Sequence, residues 1–378
     1  MHVLSIEQIE TYVEDGVLVA QNIISADELK KYQDGLHRTL KEHGVDPENL
    51  KGTAQNLLKL SSTNGSGGVL DIFYQDFQLE IGSNEKLFRA TQQLWQASLA
   101  YDEKSQNREY LSSIGKEEMY HQFGAFDPSK GYMYLDRLGY RIPTALAEEI
   151  GEQVARDSYT KENTKKSKKK KYMAIQRSLT PHFDVCPDTF YSNDKSKWRP
   201  IQCFVALSDT PSPNMGGFEA AKQFHHHFHK WRQHRPLSEV TRKDPKSGAK
   251  KKEKMPAPCL GEYTHIRPQE DECVMKAVKH VPIKAGDVVF WDQRIPHANA
   301  YKNDSETPRS VVYCSFLPDV AVNRNYARKQ LEDYEKGKNP RDTWIDFDEK
   351  KQNVKVHSSH YHFQFSEIGE KLMMMKKW

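Results

Sequence analysis

The sequence predicts a mainly β protein with flanking helices, an α+β fold whose central part is an antiparallel sandwich or barrel. Short strand-like runs separated by polar turns fill the middle of the chain, and few helical patterns lie between them. Amphipathic helical patterns are found towards both ends. The strand-like runs cover residues 132–136, 172–179, 201–207, 278–283, 287–291 and 310–317.

The N-terminal part of the chain is predicted to be mainly helical, with one short strand. The stretch SIEQIETYVEDG begins at a capping residue, Ser5, and ends at Gly16, and the run VLVAQNI that follows is typical of a buried strand. Ser25 and Glu28 form a capping-box pattern at the start of the second helix. Further amphipathic helices are expected at about 84–101 and 323–336.

We interpret the 378 residues as a single domain. Residues 1–116 are expected to be its helical N-terminal part, residues 117–320 its β core, and residues 321–378 a helical or irregular C-terminal extension.

Two basic insertions, at 161–171 and 236–258, interrupt this β core. They contain the lysine-rich runs KENTKKSKKKK and RKDPKSGAKKKEK, and because the whole chain has a net charge of only +4, the remainder is acidic. Such runs are usually solvated loops. The alternative is a surface that attracts a polyanion, either a phosphorylated substrate or a nucleic acid.

Composition argues against several classes of protein. No run of about 18 apolar residues is present, so we expect no membrane span, and the start MHVLSIEQIE lacks the pattern of a signal peptide. The number of cysteines is odd and their spacing irregular, which predicts reduced thiols and a cytoplasmic protein without a disulfide framework. These cysteines are Cys186, Cys203, Cys259, Cys273 and Cys314.

The segment SLTPHFDVCP places a histidine and an aspartate two residues apart at the end of a predicted strand. Residues two apart in a strand point the same way, so His182 and Asp184 are expected to face one site. Two histidines and one carboxylate suit Fe(II) and leave coordination positions open. His297, after the apolar run 287–291, supplies the second histidine, and Arg309 could bind a carboxylate through both ends of its guanidinium fork.

Four segments together resemble the phytanoyl-CoA dioxygenase family of Fe(II)- and 2-oxoglutarate-dependent oxygenases. They are YVEDGVLVAQNIISADELKKY, PHFD, IQCFVALSDTPSPNMGGFEAAKQFHHHFHKW and AGDVVFWDQRIPHANAYKNDSETPRSVVYCSF. The resemblance covers roughly residues 5–40 and 130–320. It implies a double-stranded β-helix, the cupin-like jelly roll, with Fe(II), 2-oxoglutarate and O₂ as the reactive groups.

The resemblance also implies roles for particular residues. His182, Asp184 and His297 match the Fe(II) ligands, and Arg309 matches the anchor of 2-oxoglutarate. Trp198 matches a tryptophan that lines the co-substrate pocket in similar proteins. A carboxylate at position 184 favours hydroxylation, desaturation or ring closure over halogenation, because related halogenases have a small residue there.

Other candidate site residues are predicted on weaker patterns. Gln176 lies at an even offset before His182, so in a regular strand it would face the same cavity and could contact the co-substrate or the substrate. The run YMYLDRLGYRIP is expected to line the substrate pocket through Tyr132, Tyr134, Arg137 and Arg141. The histidines of HHHFH, residues 225–229, are expected to be structural, because three adjacent residues on a regular element cannot all face one ion.

The function predicted from these patterns is oxidation of a C–H bond in a small molecule, with release of succinate and CO₂. One alternative is an oxygenase whose protein or nucleic-acid substrate is recruited by the lysine-rich runs. Another is a jelly-roll binding protein without activity. The oligomeric state is left open by the sequence.

Overall fold

The computed structural model shows two antiparallel sheets packed face to face, with helices covering the larger one. Its description covers residues 2–62, 65–99, 121, 123, 126–161, 173–192, 195–243, 250–340 and 363–378. The helices are α1 Ile6–Asp15, α2 Ala26–Glu42, α3 Leu50–Thr53, α4 Leu57–Leu60, α5 Asp76–Gly82, α6 Glu85–Ser98, α7 Thr144–Lys161, α8 Phe228–Gln233, α9 Glu272–Ala277, α10 Ala321–Glu335 and α11 Glu367–Leu372.

The strands form a sheet of six, a sheet of five and a separate pair. They are β1 Val17–Ala20, β2 Val69–Leu70, β3 Gly131–Arg141, β4 Leu179–Phe183, β5 Ile201–Ala206, β6 Phe218–Ala220, β7 Leu237–Lys243, β8 Lys250–Pro256, β9 Thr264–His265, β10 Lys279–His280, β11 Val288–Asp292, β12 His297–Asn299 and β13 Arg309–Pro318. The larger sheet has the order β1-β11-β5-β13-β3-β2, and the smaller one β10-β6-β12-β4-β9. This is a jelly-roll core with flanking helices, as the sequence predicted.

Alternation along the strands of the larger sheet divides the core into two layers. On β5, Cys203 and Val205 face the helices, whereas Phe204 and Ala206 face the interior between the sheets. The period of two in a strand is what sends neighbouring side chains to opposite faces. The layer between the sheets also contains Trp291, and it forms one wall of the functional site described below.

The helix starts confirm the capping patterns. The Ser5 side chain accepts from the Gln8 backbone N–H, and the Ser25 side chain accepts from that of Glu28, with both reciprocal bonds present. Gly16 ends α1 with φ of 68°, a left-handed conformation that glycine adopts without steric cost. Within the described ranges, no helix is both long and apolar enough to cross a membrane.

The predicted strand at 172–179 is wrong for most of its length. Backbone groups before β4 bond to other partners: the Ile175 N–H donates to Ala147 of α7, and the Arg177 N–H donates to Gly65. The predicted strand at 278–283 is likewise reduced to the two residues of β10. In both cases the apolar pattern was correct, but groups of α7, β6 and nearby turns satisfy the backbone in place of a longer strand.

The basic insertion at 236–258 is not a loop, as the sequence suggested, but the hairpin β7–β8. Its strands pair over seven positions, from Leu237 opposite Pro256 to Lys243 opposite Lys250. The turn of this hairpin, like most of the insertion at 161–171, lies outside the described residues.

Cys186 and Cys259 form a disulfide, which corrects the prediction that the thiols are all reduced. The two residues are 73 positions apart in sequence, and pairing of β4 with β9 brings their flanking segments together. Spacing along the chain carries no signal for such a pairing, because the contact depends on the tertiary structure.

The histidine run at 225–229 has the structural role that the sequence predicted. Nε2 of His225 lies 3.0 Å from the carbonyl oxygen of Val13, and Nε2 of His226 lies 2.9 Å from that of Glu14. Each ring therefore donates to a carbonyl left unsatisfied at the C-terminal end of α1.

Candidate metal centre

Two neighbouring strands of the smaller sheet bring His182, Asp184 and His297 together. His182 on β4 and His297 on β12 are direct partners in the sheet register, and Asp184 follows β4 on the same face as His182. One ligand atom from each residue lies within 4.8 Å of the others. Each Nε2 lies 3.5 Å from an oxygen of Asp184, His182 from Oδ1 and His297 from Oδ2.

Backbone carbonyls orient both imidazole rings. His182 Nδ1 lies 2.8 Å from the Thr180 carbonyl oxygen, and His297 Nδ1 lies 3.0 Å from that of Ile295. When Nδ1–H donates to a carbonyl, Nε2 keeps its lone pair for a metal ion. The Tyr263 ring stacks on His182 with a centroid distance of 4.7 Å and fixes its plane further.

The protonation states of His182 and Asp184 are those of metal ligands. Burial, with the nearby His297, lowers the pKa of His182 to about 3, so its imidazole is neutral at neutral pH. Burial alone would raise the pKa of Asp184, but His297, His182 and Arg199 together hold it well below its usual range. A neutral imidazole beside an ionised carboxylate is the state in which both bind a cation.

Arg199 connects Asp184 to a second carboxylate. Its guanidinium lies 3.6 Å from Asp184 Oδ2 and 3.0 Å from Asp136 Oδ2, over the ring of Tyr134 at 4.5 Å. This residue, in the segment KWRP before β5, is not among those predicted from the sequence. No local pattern there distinguishes it from a surface arginine.

A cavity of about 650 Å³ opens onto the three residues. Most of the residues that line it have polar side chains, and three pairs of opposite charge lie on its wall: Arg137 with Asp71, Arg199 with Asp136, and Lys197 with Glu262. The hydroxyl and amide side chains that line it are Ser62, Ser66, Tyr134, Ser178, Thr180, Gln202, Tyr263, Asn299 and Tyr313.

Gln202 and Trp291 present unsatisfied polar atoms at this cavity. Both side chains are at least 97% buried, and the Gln202 amide and the Trp291 indole N–H have no hydrogen-bond partner among the described residues. They are partners across β5 and β11, and the Trp291 ring lies 5.2 Å from that of His297. The inward alternation of β5 could have revealed Gln202 from sequence.

Arg309 lies behind the wall of the cavity and not on its surface. Its Nη1 donates to the Tyr313 hydroxyl at 3.3 Å, and Tyr313 lines the cavity. The guanidinium is centred 5.3 Å from the ring of Phe204, and its Nη2 is buried without a partner in the described structure.

The structure brings only some of the predicted pocket residues to the cavity. Tyr134 and Arg137 line it. Tyr132 instead donates its hydroxyl to Asp319 at 2.7 Å, away from the cavity. Arg141 is buried beside Arg309, where its Nη2 donates to the carbonyl of Tyr301.

Gln176 and Trp198 do not line the cavity, so these two predictions are corrected. The Gln176 amide forms hydrogen bonds with the backbone at the end of β3. It donates to the Tyr140 carbonyl and accepts from the Ile142 N–H. It faces away because the chain before β4 is not a regular strand. Trp198 packs against Phe126. The side chain that contacts the Arg309 guanidinium is instead Phe204, at an inward-facing position of β5.

Comparisons with known proteins agree with this architecture. The chain resembles the crystal structure of GlcNAc Inducible Gene 2, GIG2 (DUF1479), from Candida albicans with a TM-score of 0.64 and 14% identity, covering 99% of this chain and 77% of that one. It also resembles the hypothetical protein JW0805 from Escherichia coli with a TM-score of 0.59 and 14% identity, covering 99% and 82%. No curated protein matches the chain.

A protein-family model matches the sequence. The model described as Gig2-like matches residues 4–375, almost the whole chain. The narrower resemblance to phytanoyl-CoA dioxygenases is not confirmed by this match. The chain belongs to the Gig2-like family.

Proposed function

We propose that this protein is an Fe(II)- and 2-oxoglutarate-dependent oxygenase that oxidises a C–H bond of a small molecule. The observation that carries the proposal is the group of His182, Asp184 and His297, whose ligand atoms converge at a cavity of about 650 Å³. Two imidazoles and one carboxylate on one face are the ligand set of non-haem Fe(II) oxygenases, which leave positions open for a co-substrate and O₂.

The surrounding residues fit a bound 2-oxoglutarate. Arg309 has a buried Nη2 without a partner, which is costly unless an acceptor is present in the working protein. The Tyr313 hydroxyl lies between this guanidinium and the cavity. A carboxylate bound there would accept from both side chains, and such charge-assisted bonds are short and strong.

The chain's own residues would position the reactants and protect them from water. When bound, Fe(II) with 2-oxoglutarate and O₂ supplies the oxidising power, with release of succinate and CO₂. Thr180 and Ile295 carbonyls hold the ligand imidazoles in the productive tautomer. Arg199, after His297 and His182, contributes to keeping Asp184 ionised.

The lining of the cavity favours a polar substrate. An acyl chain would bury the Gln202 amide and the Trp291 N–H without partners, and each such group costs about 1–3 kcal/mol. A substrate with hydroxyl, amide or carboxylate groups would satisfy them. Sites built to hydrogen-bond a substrate discriminate strongly against analogues that lack the polar group.

The first test needs no substrate. Fe(II) and then 2-oxoglutarate are added to the protein under nitrogen, and we expect the weak visible charge-transfer band of a chelated 2-oxo acid. The His182→Ala variant should lose the band. His265→Ala is the matched control, because His265 pairs with His182 across β4 and β9 and lines the same cavity but is outside the ligand group.

Failure of the wild-type protein to give the band while folded would contradict the proposal. If the band appears, succinate release is then measured with polar compounds, such as sugar acids, amino acids and nucleosides, and with acyl-CoA thioesters. Stimulation by polar compounds is the expected result. Stimulation by acyl-CoA alone would contradict the assignment of a polar substrate and leave the cofactor assignment intact.

A further inference from the structure

Arg309, which lies behind the cavity wall next to Tyr313, has a second buried arginine beside it. Arg141, the last residue of β3, lies directly opposite Arg309, the first residue of β13. Side chains at directly opposed positions leave the sheet on the same face, about 5 Å apart at Cβ. Both arginines are 3% exposed, so two guanidinium groups are buried side by side.

The local structure does not neutralise this pair. Within the described residues, neither arginine forms an ion pair with a carboxylate. Arg141 Nη2 donates to the Tyr301 carbonyl at 2.7 Å, and Arg309 Nη1 donates to the Tyr313 hydroxyl. One further nitrogen on each, Arg141 Nη1 and Arg309 Nη2, is buried without a hydrogen-bond partner.

The positive charges of the two arginines repel each other. Burial first, and then the charge of Arg309, lowers the pKa of Arg141 to about 10, while Glu219 and Tyr313 act in the opposite direction. Glu219 is itself half-buried, and burial raises the pKa of its carboxyl. Like charges that face each other across a sheet are destabilising. An anion bound between the two groups would offset this repulsion.

The aliphatic part of Arg141 is held in place by close backbone contacts. A Cβ added to Gly68 would come within 2.7 Å of Arg141 Cα and Cβ, and Gly68 has φ of 70°. The backbone of Gly68 therefore packs closely against the start of the Arg141 side chain.

We infer that Arg141 and Arg309 together bind the distal carboxylate of 2-oxoglutarate, each through its unsatisfied Nη atom. A carboxylate has about four acceptor sites, enough for both guanidinium groups and for the Tyr313 hydroxyl. The inference rests on the proposed function and adds a second anchoring residue to it. It also implies selection for dicarboxylate 2-oxo acids over those with a neutral end.

The experiment measures binding, not turnover. 2-Oxoglutarate is titrated into the anaerobic Fe(II) protein, and the charge-transfer band gives Kd for the wild type, Arg141→Met and Arg141→Lys. Loss of a charge-assisted hydrogen bond corresponds to about a 10- to 100-fold weaker affinity, which we expect for Arg141→Met. Arg141→Lys keeps the charge and should recover part of the loss.

Two controls separate this role from a structural one. The affinity for Fe(II), measured without a 2-oxo acid, should be unchanged in both variants. The affinity for 2-oxopentanoate, which has the same chain length but no distal carboxylate, should also change little. A parallel loss of affinity for Fe(II) would mean that Arg141 acts only by holding the Tyr301 loop, and it would overturn the inference.

The failures of the two proposals can be told apart. Absence of the band in the wild type would refute the proposed function and the inference with it. A normal band whose Kd for 2-oxoglutarate is the same in wild type and Arg141→Met would refute the inference alone. If Arg141→Met does not fold, the same comparison is made with Arg141→Lys, where an unchanged Kd for both 2-oxo acids would refute it.

Discussion

Replacing Arg199 by methionine tests how the charges around the metal centre support one another. Methionine retains much of the apolar stem but removes the charge shared by Asp184, at 3.6 Å, and Asp136, at 3.0 Å. At an effective dielectric constant of about 20, each contact corresponds to roughly 5 kcal/mol of Coulomb energy before desolvation is subtracted.

The net loss is smaller than this gross figure. Removing one member of a buried ion pair costs about 3–5 kcal/mol. Arg199 retains 13% of its side-chain exposure and Asp184 retains 25%, so solvent screens the charges in part. We therefore expect Arg199→Met to lower the free energy of unfolding of the metal-free protein by about 3 kcal/mol.

The assay is denaturant unfolding with and without a saturating divalent cation. A cation at the centre compensates Asp184 directly, so the loss in Arg199→Met should shrink by about 1 kcal/mol or more when the metal is present. Arg156→Met is the control, since Arg156 forms an exposed pair on α7 with Glu152, and such pairs contribute about 0.5 kcal/mol or less. If Arg199→Met is no more destabilising than this control, the electrostatic reasoning is wrong.

Three further variants test other parts of the structure. Burial lowers the pKa of His225 to about 4, so the free energy of unfolding should fall as the pH drops from about 6.5 towards 4. The reason is that the unfolded chain then binds a proton that the folded chain does not bind. The variant His225→Gln should reduce this slope by about one proton, and equal slopes for wild type and variant in unfolding titrations would contradict the assignment. Replacing Cys186 and Cys259 by serine should lower the free energy of unfolding by about 4 kcal/mol, because the crosslinked residues are 73 positions apart. A loss below about 1 kcal/mol would argue against the disulfide. So would the finding of all five thiols in a titration of the unreduced wild type. Gln176→Leu should lower the free energy of unfolding by about 2 kcal/mol, because it leaves backbone groups of β3 and Ile142 without hydrogen-bond partners. The variant should still give the charge-transfer band with 2-oxoglutarate. Loss of that band would mean that Gln176 belongs to the binding site.

The features that follow from local sequence were predictable. The capping boxes at Ser5 and Ser25, the alternation on β5 and the joint orientation of His182 and Asp184 depend on neighbouring residues alone. The jelly roll came from the resemblance, and pairing of β4 with β12 then placed His297 beside His182.

What the sequence could not give depends on distant contacts. The Cys186–Cys259 disulfide and the pairing of Arg141 with Arg309 each join residues more than 70 positions apart. The error at Trp198 has a related cause, because its role was taken from a matching tryptophan in the resembling family. The side chain that faces Arg309 is instead set by the register of β5, where Phe204 points inwards.

The hairpin β7–β8 has a consequence for how copies of this protein behave at high concentration. Its two strands pair only with each other in the described structure, which leaves the outer backbone groups of both available to another strand. Lys250, Lys252 and Lys254 alternate along one exposed face. Lysines on open strand edges oppose edge-to-edge pairing by repulsion between copies. The lysine-rich composition of this insertion therefore disfavours edge-to-edge pairing of this hairpin between copies, whether or not an anion binds there.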